Sequence, residues 1–232
     1  MGDALYPTGG GALLGSEIRL RLAASAAAKE KRLAALVAAR PAGGTSMKGV
    51  RSAQLAGSLA LSGIGASDPA AERLARATMA VDPAVPLSVA ALLAWHHAAV
   101  GPGGFRQGER ERTGGPPPAP PEFIAGRLAI LEQWIDAPSA RELKASQQGA
   151  LALVRVVEVM PFDDGNGRVA RLAASHLMER AGARPPILLA PDGPRLAQAL
   201  QAAFQLHTEP LAALLEEASE RALDLLIREA GG

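Results

Sequence analysis

The stretch MPFDDGNGRVAR, residues 160–171, separates two long segments in which apolar residues recur with helical spacing. The first segment covers residues 139–159, and the second covers residues 166–181. The stretch is therefore predicted to be an interhelical loop that runs directly into the N-terminus of the second helix.

Helical spacing also dominates the rest of the chain, where glycine and proline separate the helical segments. These further segments cover residues 13–40, 47–61, 69–79, 86–97, 121–136, 193–204 and 209–230. Residues 101–120 differ, because their Gly-Gly pairs and proline run predict a surface loop or a short hairpin. Strand patterns are nearly absent, and no repeat of fixed period is found. The predicted fold class is all-α, with one small β-hairpin.

Composition excludes several classes of protein. The chain has 232 residues, a formal net charge of +1, no cysteine and 48% hydrophobic residues. The apolar fraction excludes a disordered chain, and the balanced charge argues against a general nucleic-acid binder. Without cysteine there is no disulfide, zinc-thiolate site or thiol nucleophile. Because no signal-peptide pattern and no apolar run of about 18 residues is present, we expect a soluble, cytoplasmic protein without membrane contact.

The loop combines residue types that suit a phosphate group. Glycines at 165 and 167 tolerate positive φ, so that consecutive N–H groups can converge into an anion-binding nest at a helix N-terminus. Arg168 and Arg171 lie three apart, on one helical face, and Asp164 could bind a Mg²⁺ that bridges phosphates. These features predict a nucleotide-phosphate site. The alternative is a tight turn followed by solvated arginines.

Residues 160–171 resemble the signature of the Fic (Fido) family, H-x-F-x-D/E-G-N-G-R-x-x-R. The matching residues are Phe162, Asp164, Gly165, Asn166, Gly167, Arg168 and Arg171. The resemblance implies a Fic-type helical bundle with a small β-hairpin flap. Most members of the family transfer AMP from ATP to a hydroxyl of a target protein (AMPylation), with Mg²⁺. By the same resemblance, Phe162 would anchor the loop.

The resemblance also implies roles for the polar residues of the motif. Asp164 would be the metal ligand, and residues 165–167 would form the anion hole, in which Asn166 helps to hold the α-phosphate. Arg168 and Arg171 would clamp the β- and γ-phosphates. ATP and Mg²⁺ are the expected cofactors.

The resemblance extends from about residue 52 to the C-terminus. Residues 104–115 resemble the family's flap, which aligns the target segment, and we predict that a protein partner binds there. We accordingly predict a Fic-like domain at residues 51–232. Residues 1–50 would form an N-terminal helical extension, whose helix is broken by PAGGT at residues 41–45.

Met160 occupies the motif position of the family's histidine, which removes the proton from the target hydroxyl. A thioether has no titratable proton, so Met160 cannot serve as a general base. Loss of such a base lowers the reaction rate about 10²–10⁴-fold. Nucleotide binding needs no base at this position. We therefore predict a degenerate member, a pseudoenzyme that binds nucleotide while AMP transfer is lost or strongly reduced.

Residues 58–64 resemble an inhibitory helix that some family members carry, of the form S/T-x-x-x-E-G/N. Ser58 and Gly63 fit this form, but Ser62 stands where the glutamate would be. In the family that glutamate pairs with the second motif arginine, here Arg171, and obstructs the γ-phosphate. Serine has no charge for such a pair, so we expect the inhibitory switch to be absent. The alternative is an ordinary helix end.

Other polar residues lie near the motif or the flap. Asp163 could replace the missing base if its pKa were raised. His176 is expected in the core or on the surface. Of His96 and His97, one is expected in the core and the other at the solvent, with the alternative that either lines the site. The flap-region arginines are interpreted as a solvated loop face or as contacts for a partner: Arg106, Arg110 and Arg112.

Two other functions remain open at this point. The chain could be an active nucleotidyltransferase with a substitute base or a self-activated acceptor. It could also be a non-catalytic interaction module, in which the flap region binds a protein and the loop is a relic.

Overall fold

The computed structural model describes residues 10–39 and 46–231, with side chains from residue 21 onward. The predicted break at residues 41–45 therefore lies outside the described residues.

The described residues form α-helices joined by loops and two short 3₁₀ helices. The α-helices are α1 (Gly10–Ala39), α2 (Lys48–Leu61), α3 (Pro69–Met79), α4 (Val89–Ala99), α5 (Ile124–Asp136), α6 (Pro138–Arg141), α7 (Ala145–Val159), α8 (Asn166–Arg180), α9 (Gly193–Phe204) and α10 (Glu209–Gly231). The prediction of an all-α fold is confirmed. Each of these helices is too short or too polar to cross a membrane.

The predicted β-hairpin is not seen, since residues 101–120 form a loop and no strand occurs among the described residues. Prolines at 116–118 and 120 supply no N–H donors for a ladder. Instead, the side chain of Arg106 donates to the carbonyls of Gly108 and Ala119, one in each limb of the loop. A side chain thus joins the two limbs where a hairpin would use backbone hydrogen bonds.

The helix predicted over residues 139–159 is divided into α6 and α7 by a turn. Gln147 Oε1 accepts a hydrogen bond from the backbone N–H of Lys144 at 2.9 Å. Gln148 Nε2 donates to the carbonyl of Leu143 at 3.0 Å. These side chains satisfy the backbone of the turn, and apolar spacing alone gave no sign of it.

Helices α7 and α8 form a tightly packed pair joined by the motif loop, which we define as residues 160–165. The close approach depends on Gly149, where a Cβ would lie 2.8 Å from Met178 Cγ and 3.2 Å from the Ala174 carbonyl oxygen. Buried apolar residues of this pair include Ala150, Leu153, Val156, Val169, Ala173 and Leu177. The pair forms a closely packed base for the loop.

Helix α2 is held against α8 by a buried ion pair. Arg51 donates through both Nη atoms to the Glu179 carboxylate, at 2.8 and 2.7 Å. A second apolar cluster joins α1, α2 and α10 through Leu33, Val50 and Leu226. This packing places the C-terminal half of α2 beside the start of α8.

Candidate functional site

The motif loop begins at Met160, where α7 ends. Met160 has left-handed backbone geometry, with φ 47° and ψ 63°. Its N–H still donates to the Val156 carbonyl at 3.0 Å, while Pro161 follows and cannot continue the helix. The chain therefore turns sharply at the position where a Fic motif carries its histidine.

Asn166 closes the loop. Its Oδ1 accepts from the Phe162 N–H at 2.9 Å, and its Nδ2 donates to the Phe162 carbonyl at 2.8 Å. This pair of hydrogen bonds fixes the turn between α7 and α8. The structure thus gives Asn166 a loop-closing contact, and its contact with an α-phosphate stays a prediction.

Phe162 is fully buried beneath the loop. Its ring stacks on His96, with centroids 3.9 Å apart and an interplanar angle of 12°, and lies 5.9 Å from the Phe105 ring. His96 Nε2 donates to the Asp164 carbonyl at 3.2 Å, because a carbonyl oxygen can only accept. Burial lowers the pKa of His96, which favours the neutral ring. His96 therefore supports the loop from below, a role that the sequence alone did not indicate.

Asp164 and Arg168 form an ion pair at the mouth of the site. Arg168 Nη2 lies 2.5 Å from Asp164 Oδ2, while Nη1 donates to the Ala99 carbonyl at 3.3 Å. Partial desolvation raises the pKa of the Asp164 carboxyl, but hydrogen bonds from Arg168 and from the Gly165 N–H outweigh it and lower the pKa. The carboxylate is ionised and its side chain is 76% exposed, so it is open to a cation.

Gly165 provides the left-handed turn that starts α8. Its φ is 81°, and a Cβ at this position would lie 2.4 Å from Val100 Cγ2. The first N–H groups of α8 follow at once, and such groups have no partner inside their own helix. Together with the positive end of the helix dipole, such groups favour a negatively charged ligand. Of the two motif glycines, only Gly165 has positive φ, and phosphate binding at this turn stays a prediction.

Arg171 lies one turn further along α8 and meets α2. Nε donates to Ser58 Oγ at 2.9 Å, and Nη2 donates to the Ser58 carbonyl at 3.1 Å and to Ser62 Oγ at 2.6 Å. These partners are all neutral oxygens. Desolvation, with a further contribution from the nearby Arg168 charge, lowers the pKa of Arg171 to about 10. The guanidinium is thus a cation without compensating negative charge among these contacts.

Gly63, the remaining residue of the inhibitory-like segment, ends α2 with φ 65°. A Cβ there would meet no atom within 4 Å. The structure places this glycine in the turn after α2.

Asp163 lies in the motif loop beside Arg110 of the flap. Its side chain is 76% exposed, and Oδ1 lies 3.6 Å from Arg110 Nη2. The hypothesis of a substitute base requires a carboxyl shielded from solvent. The structure does not provide that environment.

The remaining histidines and arginines take varied positions. His176 is buried, with its ring centroid 5.3 Å from that of Trp95, which makes it a core residue. His97 contacts the Gly103 carbonyl, just before the flap. The interpretation of Arg106 as part of a solvated loop face is wrong, because its side chain is fully buried. Sequence reasoning missed it because its partners are carbonyls distant in the chain.

A model of the Fic/DOC family matches residues 86–178, which include α4, the flap, the motif loop and most of α8. The chain is a Fic family protein. Over 129 residues it is 32% identical to the protein adenylyltransferase Fic of Aedes aegypti, a match that covers 54% of this chain and 25% of the relative. The matched part thus spans about a quarter of the length of that curated relative.

Solved structures show the same Fic fold. Fic-1 of C. elegans, residues 134–508, matches with a TM-score of 0.71 at 19% identity and covers 94% of this chain and 74% of that one. IbpAFic2, solved covalently tethered to Cdc42, matches with a TM-score of 0.53 at 17% identity and covers 83% of this chain and 70% of that one. At these identities the similarity establishes the fold.

The Fic motif residues fit a Mg²⁺–nucleotide. Magnesium is usually held by one or two carboxylates together with substrate phosphates and water, not by an all-protein cage. Asp164 supplies one exposed, ionised carboxylate beside two guanidiniums and a helix N-terminus. In the described part of the chain, no group of three or more His, Asp or Glu side chains is arranged to hold a metal.

Proposed function

We propose that this Fic protein binds ATP with Mg²⁺ at the motif loop, and that its protein AMP-transfer activity is lost or strongly reduced. The observation that carries the proposal is Met160. Its thioether stands at the first motif position, while the other signature residues, from Phe162 to Arg171, are present. Binding and transfer depend on different residues there, so the first can persist without the second.

The binding part rests on charge. Arg171 has only neutral oxygens as hydrogen-bond partners among its contacts, and Arg168 has one carboxylate. Phosphate oxygens would supply the missing negative charge and accept from the fork-shaped donors of both arginines. The first N–H groups of α8 would add donors from the backbone. That the matched relatives are named adenylyltransferases supports a nucleotide as the source of these phosphates.

Each residue would have one task in binding. Asp164 would exchange part of its contact with Arg168 for the metal, and Arg168 would turn toward a phosphate. Gly165 keeps the turn open, because any side chain there would meet Val100. Bound Mg²⁺ would neutralise phosphate charge and orient the phosphate chain.

The loss of transfer rests on chemistry at position 160. Proton removal from an attacking hydroxyl needs a group that can take up the proton within hydrogen-bond reach. Met160 has none, and Asp163 lies exposed beside Arg110. Any acceptor hydroxyl would therefore attack without a protein base.

We further propose that a protein partner contacts the flap, residues 104–115. Support comes from IbpAFic2, which was solved tethered to the protein Cdc42. The domain boundary at residues 51–232 and a cytoplasmic location stay predictions.

Calorimetric titration of the chain with ATP and Mg²⁺ tests the proposal. We expect measurable binding, and at least tenfold weaker binding in Arg168→Ala, which removes a charged donor. Arg110→Ala is the matched control, because Arg110 is the same residue type beside the loop but pairs with Asp163. No binding by the unaltered chain, or equal losses in the two variants, would contradict the proposal.

A further inference from the structure

Arg106 is among the largest fully buried side chains of the protein, with 1% of its surface exposed. Its Nε donates to the Met160 carbonyl at 2.7 Å, and Nη2 lies 3.5 Å from the Val159 carbonyl oxygen. Its backbone N–H donates to the Pro161 carbonyl at 2.9 Å. One residue of the flap region therefore bonds to three consecutive carbonyls at the start of the motif loop.

The same guanidinium also binds the flap. Nη1 donates to the Gly108 carbonyl at 2.6 Å, and Nη2 donates to the Ala119 carbonyl. Gly108 and Ala119 lie in opposite limbs of the loop that contains the flap. A single buried side chain thus connects both limbs to the end of α7.

Electrostatics explain why a cation is stable in this position. The last carbonyls of a helix have no intrahelical donors and form the negative end of its dipole. The end of α7 presents these carbonyls to Arg106. A buried charge is tolerated where its hydrogen-bonding groups are paired, and Nε, Nη1 and Nη2 all have acceptors.

Met160 shows why the contact matters for the site. A residue with a side chain rarely adopts φ near +47°, and such geometry persists only where neighbouring contacts enforce it. The carbonyl of Met160 is held by Arg106, and its N–H is held by Val156. These two hydrogen bonds determine the direction in which the residue at position 160 projects.

We propose that Arg106 is a positioning residue, which orients position 160 of the motif and couples it to the flap. The proposal rests on the proposed function, since the orientation of position 160 matters where the loop handles a nucleotide. Arg106 acts through the backbone of Met160.

Arg112 offers a matched control. It belongs to the same flap region and donates to carbonyls at the same helix end, those of Val157 and of Glu158, the latter at 3.0 Å. Its guanidinium also lies 4.8 Å from the Phe204 ring centroid. Loss of Arg112 should therefore destabilise the flap and α7 while leaving residues 160–161 in place.

Amide hydrogen exchange of the full chain tests the positioning role. In Arg106→Met we expect the N–H groups of residues 106 and 162 to exchange about tenfold faster, because charged hydrogen bonds that hold this backbone are lost. Arg112→Met should change both rates less than about twofold. Unchanged rates in Arg106→Met, or equal acceleration in the two variants, would overturn the proposal.

Arg106→Lys covers the case in which Arg106→Met does not fold. One ammonium group cannot reach both limbs of the flap and position 160 together, so the same two amides should still exchange faster. Wild-type exchange rates in this variant would overturn the proposal.

A second readout separates positioning from general stability. In a chain with Met160→His, the further change Arg106→Lys should lower the rate of label transfer from α-labelled ATP at least tenfold, with Kd for ATP changed less than about twofold. Equal losses in rate and affinity would overturn the positioning role. If Met160→His transfers no label at all, the attribution of the lost transfer to Met160 fails, and the exchange experiment still decides the role of Arg106.

Discussion

Ser62 and Arg171 meet across 109 positions of sequence, where Ser62 Oγ accepts a hydrogen bond from Arg171 Nη2 at 2.6 Å. The sequence predicts that Ser62 cannot form a charged pair with Arg171, because serine carries no charge. The contact itself is nevertheless present, as a neutral hydrogen bond supported by two more to Ser58. A neutral partner competes weakly with a phosphate for the guanidinium, which leaves Arg171 available.

We predict that Ser62→Glu weakens ATP binding about tenfold. A carboxylate would form a charge-assisted hydrogen bond with Arg171, stronger than the present one by about 1 kcal/mol or more, and would repel the γ-phosphate. Titration calorimetry with ATP and Mg²⁺ measures the change. Ser67 lies in the exposed turn after α2. Ser67→Glu adds the same charge without a contact to Arg171, so it should leave the Kd for ATP nearly unchanged. Equal effects of the two substitutions would exclude a specific contact.

We predict that Met160→His raises label transfer from α-labelled ATP to protein by about 10²–10⁴, because it supplies the missing base. Histidine tolerates left-handed backbone better than most residues, so the turn should persist. Met160→Gln is polar but has no base and should stay at the level of the unaltered chain. Strong labelling by the unaltered chain that disappears in Asp164→Ala would instead indicate an active transferase.

We predict that Gly165→Ala lowers the free energy of unfolding by about 2–4 kcal/mol. Positive φ costs about 1–2 kcal/mol for a residue with a Cβ, and the clash with Val100 adds to it. Gly182→Ala is the control, since Gly182 has a similar φ of 85° and a Cβ there would have no atom within 4 Å. Urea denaturation should show a smaller decrease in the free energy of unfolding for Gly182→Ala than for Gly165→Ala. Equal decreases for the two variants would mean that the Val100 side chain moves away from the new Cβ without destabilising the fold.

We predict that His176 makes the fold sensitive to acid. Desolvation, together with repulsion from Arg180, lowers the pKa of His176 from 6.5 to about 4. Between these values the unfolded chain takes up a proton that the folded chain does not, so stability is full above pH 6.5 and falls as the pH approaches 4. The loss contributed by this residue is about 3 kcal/mol.

Urea denaturation at several pH values measures this contribution as the difference between the unaltered chain and His176→Gln. His207→Gln, at an exposed position, should retain the full pH dependence. A His176→Gln variant that loses stability in acid as steeply as the unaltered chain would refute the assignment.

The helices α3 and α9 have the predicted limits, residues 69–79 and 193–204. Both begin at local signals: Asp68 and Pro69 start α3, and Gly193 and Pro194 start α9. The turn between α6 and α7 was missed because it depends on two glutamine side chains that bond the backbone. Apolar spacing carries no information about such bonds.

The sequence by itself determined the all-α class, the start of α8 and the set of motif residues, because helix signals and a Gly-Asn-Gly turn act over a few neighbouring positions. Only the tertiary structure decided that Arg106 lies buried against Met160, that His96 supports Phe162 and that Arg171 meets Ser62. These contacts join residues that are 54, 66 and 109 positions apart. Their energy depends on burial and alignment that arise only when α2, α4, α7 and α8 pack together. The pattern at residues 58–64 pointed toward Arg171, but it could not give the hydrogen bonds that Arg171 makes with Ser58 and Ser62.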